Sequence, residues 1–128
     1  MTETYSASYD QAAQFFRKQD VFAVEKEDPK IVDRYGRHDF GRHMLLARRL
    51  LEAGVTFVKV THSNYDTHHE NFDFHIEQLG EFDRPFATFL DALPERGMLA
   101  STLVIVMSEF GRTPKINDRY GRDHWSKA

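Results

Sequence analysis

The chain contains no cysteine. That excludes disulfides, thiolate metal sites and cysteine nucleophiles, and it leaves the redox compartment unreadable. It also lacks any apolar run of about 18 residues, so no stretch reads as a membrane-spanning helix. The opening MTETYSASYDQAAQ has neither the basic start nor the apolar stretch of an export signal. The chain therefore reads as soluble, with its compartment unknown. Excess basic charge is missing as well. Seventeen Lys and Arg face 20 Asp and Glu, a net charge of −3 with the seven histidines neutral. That argues against broad electrostatic binding to nucleic acid or to an anionic membrane.

What is present is the composition of a folded globular chain: 128 residues, 41% hydrophobic and 29% charged. This is enough for one domain with one core, burying roughly 65–70% of the unfolded surface. The pattern SYDQAAQFFRKQ predicts a helix over 8–19. Asp28-Pro29 marks a short helix that ends by Gly36. FGRHMLLARRLLEA predicts an amphipathic helix over 40–53, with Leu46, Leu50 and Ala53 on one face beside Ala47 and Leu51, and Gly54 as C-cap. VTFVKVT, 55–61, reads as a strand. Phe72, Ile76, Leu79, Phe82, Phe86, Phe89, Leu90 and Leu93 recur at helical spacing, with Pro85 set to kink or break the helix and Gly97 to close it. TLVIVM, 102–107, reads as a second strand buried on both faces. The tail is polar and irregular.

Helix, strand, helix, strand predicts an α/β fold with at least one βαβ unit: two parallel strands and a right-handed crossover. Open α/β sheets bind ligands beyond the carboxyl ends of their strands. THSNYDTHHEN (61–71) follows the first strand and SEFGRTPKINDRYGRDHW (108–125) follows the second. Both polar clusters are therefore expected at one sheet edge.

Asp66, His68 and His69 are oxygen and nitrogen ligands of the kind that hold zinc, manganese or iron, and His62 could add a fourth. The spacing matches no standard signature, and a plain capped loop, with Asp66 or Asn71 capping the next helix, is the competing reading. Glu109 is a candidate ligand or general base. Arg112 has the shape to grip phosphate or sulfate, with a solvated arginine as the alternative. Asp123-His124-Trp125 offers a carboxylate that orients an imidazole, or a ligand in His124 itself. His43 and His75 fall within helices and read as non-catalytic. Ser63, Thr67 and Ser108 are nucleophiles by type, with nothing marking one as activated. DRYGRHD (33–39) nearly matches DRYGRDH (118–124). This is either chance or two Arg-bearing turns facing one anion.

RYGRHDFGRHMLLARRLLEAGVTFVKVTH, YDTHHENF, TLVIVMSEFGRTPKIN and GRDHW together closely resemble the bacterial domain-of-unknown-function family 1501. The match runs from about residue 20, with Tyr65 where the family usually has Trp. That family resembles a branch of the alkaline phosphatase and sulfatase superfamily. The resemblance implies an α/β/α sandwich and metal-assisted hydrolysis of phosphate or sulfate esters, the substrate being a small ester or a saccharide. It implies a divalent ion, zinc, manganese or calcium, held by Asp66, His68, Glu109 and His124 with His69 in reserve, and catalytic roles for Glu109 and Arg112. Phe110 falls where the superfamily has a metal-binding histidine, so a degenerate, non-catalytic binding module is the alternative. The superfamily's nucleophile segment finds no counterpart here. The chain is thus expected to be a single partial domain over 1–128, with a helical lead-in over 1–20 and the family-like core over 21–128. Such an internal fragment is expected to be inactive alone.

Overall fold

The computed structural model describes residues 19–127 together with Tyr9, Asp10 and Ala13. The helix expected over 8–19 falls almost wholly outside the described residues. Three helices carry the described fold: α1 (Pro29–Tyr35), α2 (Asp39–Glu52) and α3 (Asn71–Glu95). Short 3-10 turns at Gln19–Phe22, Val24–Lys26 and Leu99–Ser101 flank them. A small antiparallel pair, β1 (Gly111–Arg112) and β2 (His124–Trp125), closes the tail. None of the described helices is long and apolar enough to cross a membrane.

Local chemistry sets the helix ends. The Asp28 carboxylate accepts the Lys30 amide at 2.8 Å and Pro29 supplies the fixed φ of a first helical residue. At the far end Gly36 has φ 86°, a conformation that a side chain resists, and a Cβ there would sit 2.8 Å from the His38 ring. The carbonyls orphaned at the end of α1 are satisfied by α3: Arg84 Nε (3.1 Å) and Thr88 Oγ1 (3.0 Å) donate to the Arg34 carbonyl. The end of α2 is a Schellman cap, with Gly54 N–H on the Leu51 carbonyl and Val55 N–H on the Leu50 carbonyl.

The three helices pack on one another around Val24, Tyr35, Phe40, Met44, Leu45, Ala47, Phe89 and Leu93. The core face of α2 differs from the one expected. Phe40, Met44, Leu45 and Ala47 are buried, while Leu46 and Leu51 pack only at its margin. The reason is Arg48, only 2% exposed, which turns inward to pair with Glu27. Arg49 reaches the same carboxylate at 2.9 Å. Burial opposes the charge on Glu27, but hydrogen bonds from Arg49 and Arg48 outweigh it and hold the carboxyl below its ordinary pKa.

Helix α3 continues unbroken past Pro85. The proline forfeits one backbone hydrogen bond, and its fully buried ring recovers apolar contact in return. The stripe that faces the core is Gln78, Phe82, Pro85, Phe89, Ala92 and Leu93. The other half of the expected stripe, Phe72, Ile76, Leu79 and Leu90, is exposed.

The chain is mixed α/β and mostly helical, but the βαβ unit expected from the sequence is not formed. Residues 56–61 and 103–108 make no backbone hydrogen bond to any described residue. A strand is defined by its partner, and neither segment has one among the described residues. Val58, Val60 and Val104 turn one side of these segments onto the core, whereas Phe57, Leu103 and Met107 are 81%, 84% and 82% exposed. TLVIVM is thus not buried on both faces.

A candidate metal centre at the docked tail

The tail docks on the loop before α3 through one close approach. A Cβ on Gly121 would lie 2.0 Å from the His68 carbonyl oxygen, so only glycine fits there. Asn117 locks the turn: its side-chain oxygen accepts the amides of Arg119 (3.0 Å) and Gly121 (2.9 Å), and its side-chain nitrogen donates to the His68 carbonyl at 3.0 Å. The carbonyls of Arg119 and Tyr120 then receive the amides of Glu70 (2.9 Å) and Asn71 (3.1 Å). The start of α3 is therefore capped by the tail backbone, and neither Asp66 nor Asn71 caps it with a side chain.

Arg112 and His124 are cross-strand partners in the β1–β2 pair, so their side chains leave the same face. Both meet Asp66. Arg112 Nη2 donates to Asp66 Oδ1 at 2.8 Å and His124 Nε2 lies 2.6 Å from the same oxygen. His68 Nε2 approaches it at 3.2 Å from a third direction. One ligand atom each from Asp66, His68 and His124 thus falls within 4.8 Å of the others, and all three residues are exposed. On its far side His68 donates Nδ1–H to Asp123 Oδ1 at 2.8 Å. Asp123 in turn accepts from Asn117 at 3.4 Å. Hydrogen bonds from His124 and Arg112 hold the Asp66 carboxyl down at about 2. Those from His68 and Asn117 keep Asp123 below the usual carboxylate range.

The other candidates are placed elsewhere. His69 is exposed, with its ring edge-on to Phe74 at 5.5 Å, and Glu109 is exposed with no ion pair to a described residue. Neither joins the three converging ligand atoms. Arg112 is committed to the protein. Its Nη1 donates to the carbonyls of Thr67 (2.8 Å) and Arg122 (3.0 Å), and its Nη2 donates to Tyr65 O (3.0 Å) as well as to Asp66. All four Nη hydrogens are occupied, so the guanidinium acts as a strut between tail and loop. His62 lies apart, its ring tilted against that of Phe40 with centroids 4.4 Å apart and hydrogen-bonded to the Tyr65 hydroxyl at 2.9 Å. His75 bonds its own helix at the Asn71 carbonyl, 2.7 Å away. Thr67 is buried and donates to Asn71. The near-repeat turns serve local ends. Arg37 pairs with Asp33 at 2.6 Å, and Arg122 donates to the Thr113 carbonyl at 2.5 Å. Asp123 orients His68 rather than its neighbour His124, and Phe110 packs its ring 4.4 Å from that of His124. Sequence reasoning missed Asn117 and Gly121. The Asn-Asp-Arg-Tyr-Gly turn pattern was the available signal.

The fold and site define a small, mostly helical α/β chain with an exposed carboxylate–imidazole cluster. It matches, over residues 1–128, the family described as "Protein of unknown function (DUF1501)", and it belongs to that family. No curated protein and no solved structure matches it.

Proposed function

We propose that Asp66, His68 and His124 hold a divalent metal ion, and that the ion serves hydrolysis of phosphate or sulfate esters. The observation that carries this reading is the protonation logic of His68. With its neutral-state hydrogen placed at Nδ1, His68 donates it to Asp123 Oδ1, 2.8 Å away. The lone pair on Nε2 then faces a carboxylate oxygen 3.2 Å away. Two electron-rich atoms at that distance need a cation between them, either a second proton or a metal. An imidazole oriented from behind by a carboxylate is also the usual support of a metal-bound histidine.

The donor set fits zinc or manganese. Two imidazoles and one carboxylate suit those ions, whereas calcium takes oxygen ligands. Tetrahedral ligands about 2.0–2.2 Å from zinc stand roughly 3.3–3.5 Å apart, so the 2.6 Å and 3.2 Å pairs need only open slightly. Three protein ligands leave a coordination position for water or substrate.

A bound ion there would polarise the ester and stabilise negative charge on the transferring group. The chain's own residues do the positioning. Asp123 fixes the His68 tautomer, Arg112 pins the Asp66 carboxylate, and β1–β2 pairing sets His124 opposite both. Hydrolysis as the chemistry rests on the resemblance to the alkaline phosphatase and sulfatase superfamily and its α/β/α sandwich. The same resemblance implies catalytic roles for Glu109 and Arg112. The rival reading, a non-catalytic binding module, has a specific observation behind it. Arg112 has no Nη hydrogen left for an anion, and Phe110 covers one side of His124.

The test is release of p-nitrophenol from its phosphate and sulfate esters by zinc- or manganese-loaded protein. Turnover that chelator and Asp66→Asn both abolish supports the hydrolase. A metal-loaded chain inert toward both esters withdraws hydrolysis from these residues acting alone, the outcome expected of a partial domain, and leaves the binding module as the reading for this chain.

A further inference from the structure

Helix α3 buries one face and leaves a second apolar stripe in solvent. Phe72, Ile76, Leu79 and Leu90 fall within about 60° of one another around a helix of 3.6 residues per turn. All four are exposed, Ile76 to 71%. The stripe runs for about five turns, roughly 27 Å. Single exposed apolar residues need no explanation, but an aligned row of them marks a contact surface. Gly80 lies mid-helix beside the stripe, where glycine weakens a helix, and a Cβ there would meet nothing within 4 Å. No contact among the described residues requires a glycine at that point, and its bare backbone admits the close approach of a second helix.

Charge selects the occupant. Of the chain's 20 acidic and 17 basic residues, α3 holds six and one. The rest of the chain, with 14 and 16, is slightly basic, so the negative excess sits on this helix. Its one basic residue, Arg84, is committed to the Arg34 and Asp33 carbonyls. Glu81 pairs with His62 and Glu95 with Arg34. Asp73, Glu77, Asp83 and Asp91 are exposed and form no ion pair with a described residue. Three of them follow the stripe directly, as Phe72-Asp73, Ile76-Glu77 and Leu90-Asp91, which sets a row of carboxylates along one side of it. Asp83, the middle residue of α3, interrupts the stripe itself. A second copy of this face is therefore a poor occupant. Parallel or antiparallel, a two-fold pair of α3 helices about their middle sets Asp83 against Asp83, and like charges in an interface are costly. The same carboxylates repel an anionic membrane.

We infer that this face of α3 docks a basic amphipathic helix of a partner protein, about 18 residues long to match the stripe. Its apolar residues cover Phe72, Ile76, Leu79 and Leu90. Its lysines or arginines run beside them against Asp73, Glu77 and Asp91, and one cation within its apolar face meets Asp83. That central pair fixes the register, as a single polar residue does in a helical seam. The apolar contact supplies affinity, and the charges supply choice of partner.

The test is fluorescence anisotropy of three labelled synthetic peptides, each about 18 residues long, with the full chain. One has leucines at helical spacing flanked by lysines. The second has glutamates in place of the lysines, and the third is a scramble of the first with no stripe. The lysine peptide should bind about tenfold or more tighter than either. Ile76→Gln/Leu79→Gln alters exposed positions and leaves the core intact, and should weaken the lysine peptide about tenfold by removing apolar contact. Glu77→Lys/Asp91→Lys should weaken it by about the same factor and turn preference toward the glutamate peptide. Circular dichroism checks that both variants fold. A lysine peptide that fails to bind overturns the inference. A scramble that binds equally well does the same, by reducing the surface to diffuse charge. A dimer of the chain that Ile76→Gln/Leu79→Gln dissociates also overturns it, by making a second copy the occupant.

Discussion

Gly121→Ala probes the joint that assembles the candidate centre. The added methyl would lie 2.0 Å from the His68 carbonyl oxygen, 2.2 Å from its carbon and 2.5 Å from the His69 nitrogen. All three are backbone atoms, so no side chain can swing aside. Relief requires the turn and the loop to separate by more than about 1 Å, since ordinary contact lies near 3.5 Å. That motion strains or breaks three hydrogen bonds across the joint: Glu70 N to Arg119 O, Asn71 N to Tyr120 O, and Asn117 to His68 O. At about 1 kcal/mol net each, partly replaced by water, the loss is roughly 2–3 kcal/mol. For a chain of this size that lowers Tm by about 10 °C. Gly80→Ala is the control. Gly80 lies inside α3 and a Cβ there meets nothing within 4 Å, so alanine should stabilise by about 0.5–1 kcal/mol. Thermal unfolding followed by circular dichroism reads both. An unchanged Tm in Gly121→Ala would refute the docking of the tail on the 65–70 loop, and with it the juxtaposition of His124 and Asp66.

Three further outcomes follow from the same geometry. Glu27→Ala leaves the buried Arg48 guanidinium with only Glu52, 4.0 Å away, and should cost about 3 kcal/mol in urea unfolding; Glu27→Ala with Arg48→Met should recover much of it. Asp66 and Asp123 both have carboxyls held below their ordinary values, so the stability they add is complete above about pH 4–5 and is lost as pH falls toward 2. Trp125 fluorescence should report the tail loosening in that window, and Asp66→Asn should remove most of the acid transition. Exposed Phe57, Leu103, Ile105 and Met107 on unpaired extended backbone should drive self-association, visible as a concentration-dependent sedimentation coefficient that Ile105→Lys/Met107→Lys suppresses.

Much of the helical scaffold was legible because its signals are local. Asp28-Pro29 starts α1, and Gly54 forms the Schellman cap of α2. The face of α2 was misjudged because Arg48 counts as polar in any periodicity, yet it is buried through Glu27, 21 residues away. Pro85 was expected to kink or break the helix because its lost hydrogen bond is visible in sequence and its buried ring is not. The 55–61 and 102–107 segments have the composition of strands, but pairing is a property of two segments, and composition names no partner. At the candidate site, the sequence pointed to two polar clusters meeting at the end of a parallel sheet. The structure does join them, Asp66 and His68 from one and Arg112 and His124 from the other, but through an antiparallel tail pair and the Gly121 contact. His69 and Glu109 were indistinguishable from their neighbours by residue type, and only three-dimensional placement separates them from the cluster.

The central claim is that Asp66, His68 and His124 form a metal site. The most direct measurement is a zinc titration against a chromophoric chelator, on the full chain and on Asp66→Asn, His68→Ala, His124→Ala and Asp123→Asn. The account predicts one ion per chain, near-complete loss in the three ligand variants, and about a 10–100-fold weakening in Asp123→Asn. A folded chain that takes up no stoichiometric zinc or manganese, or that binds it equally well without His124, would contradict it.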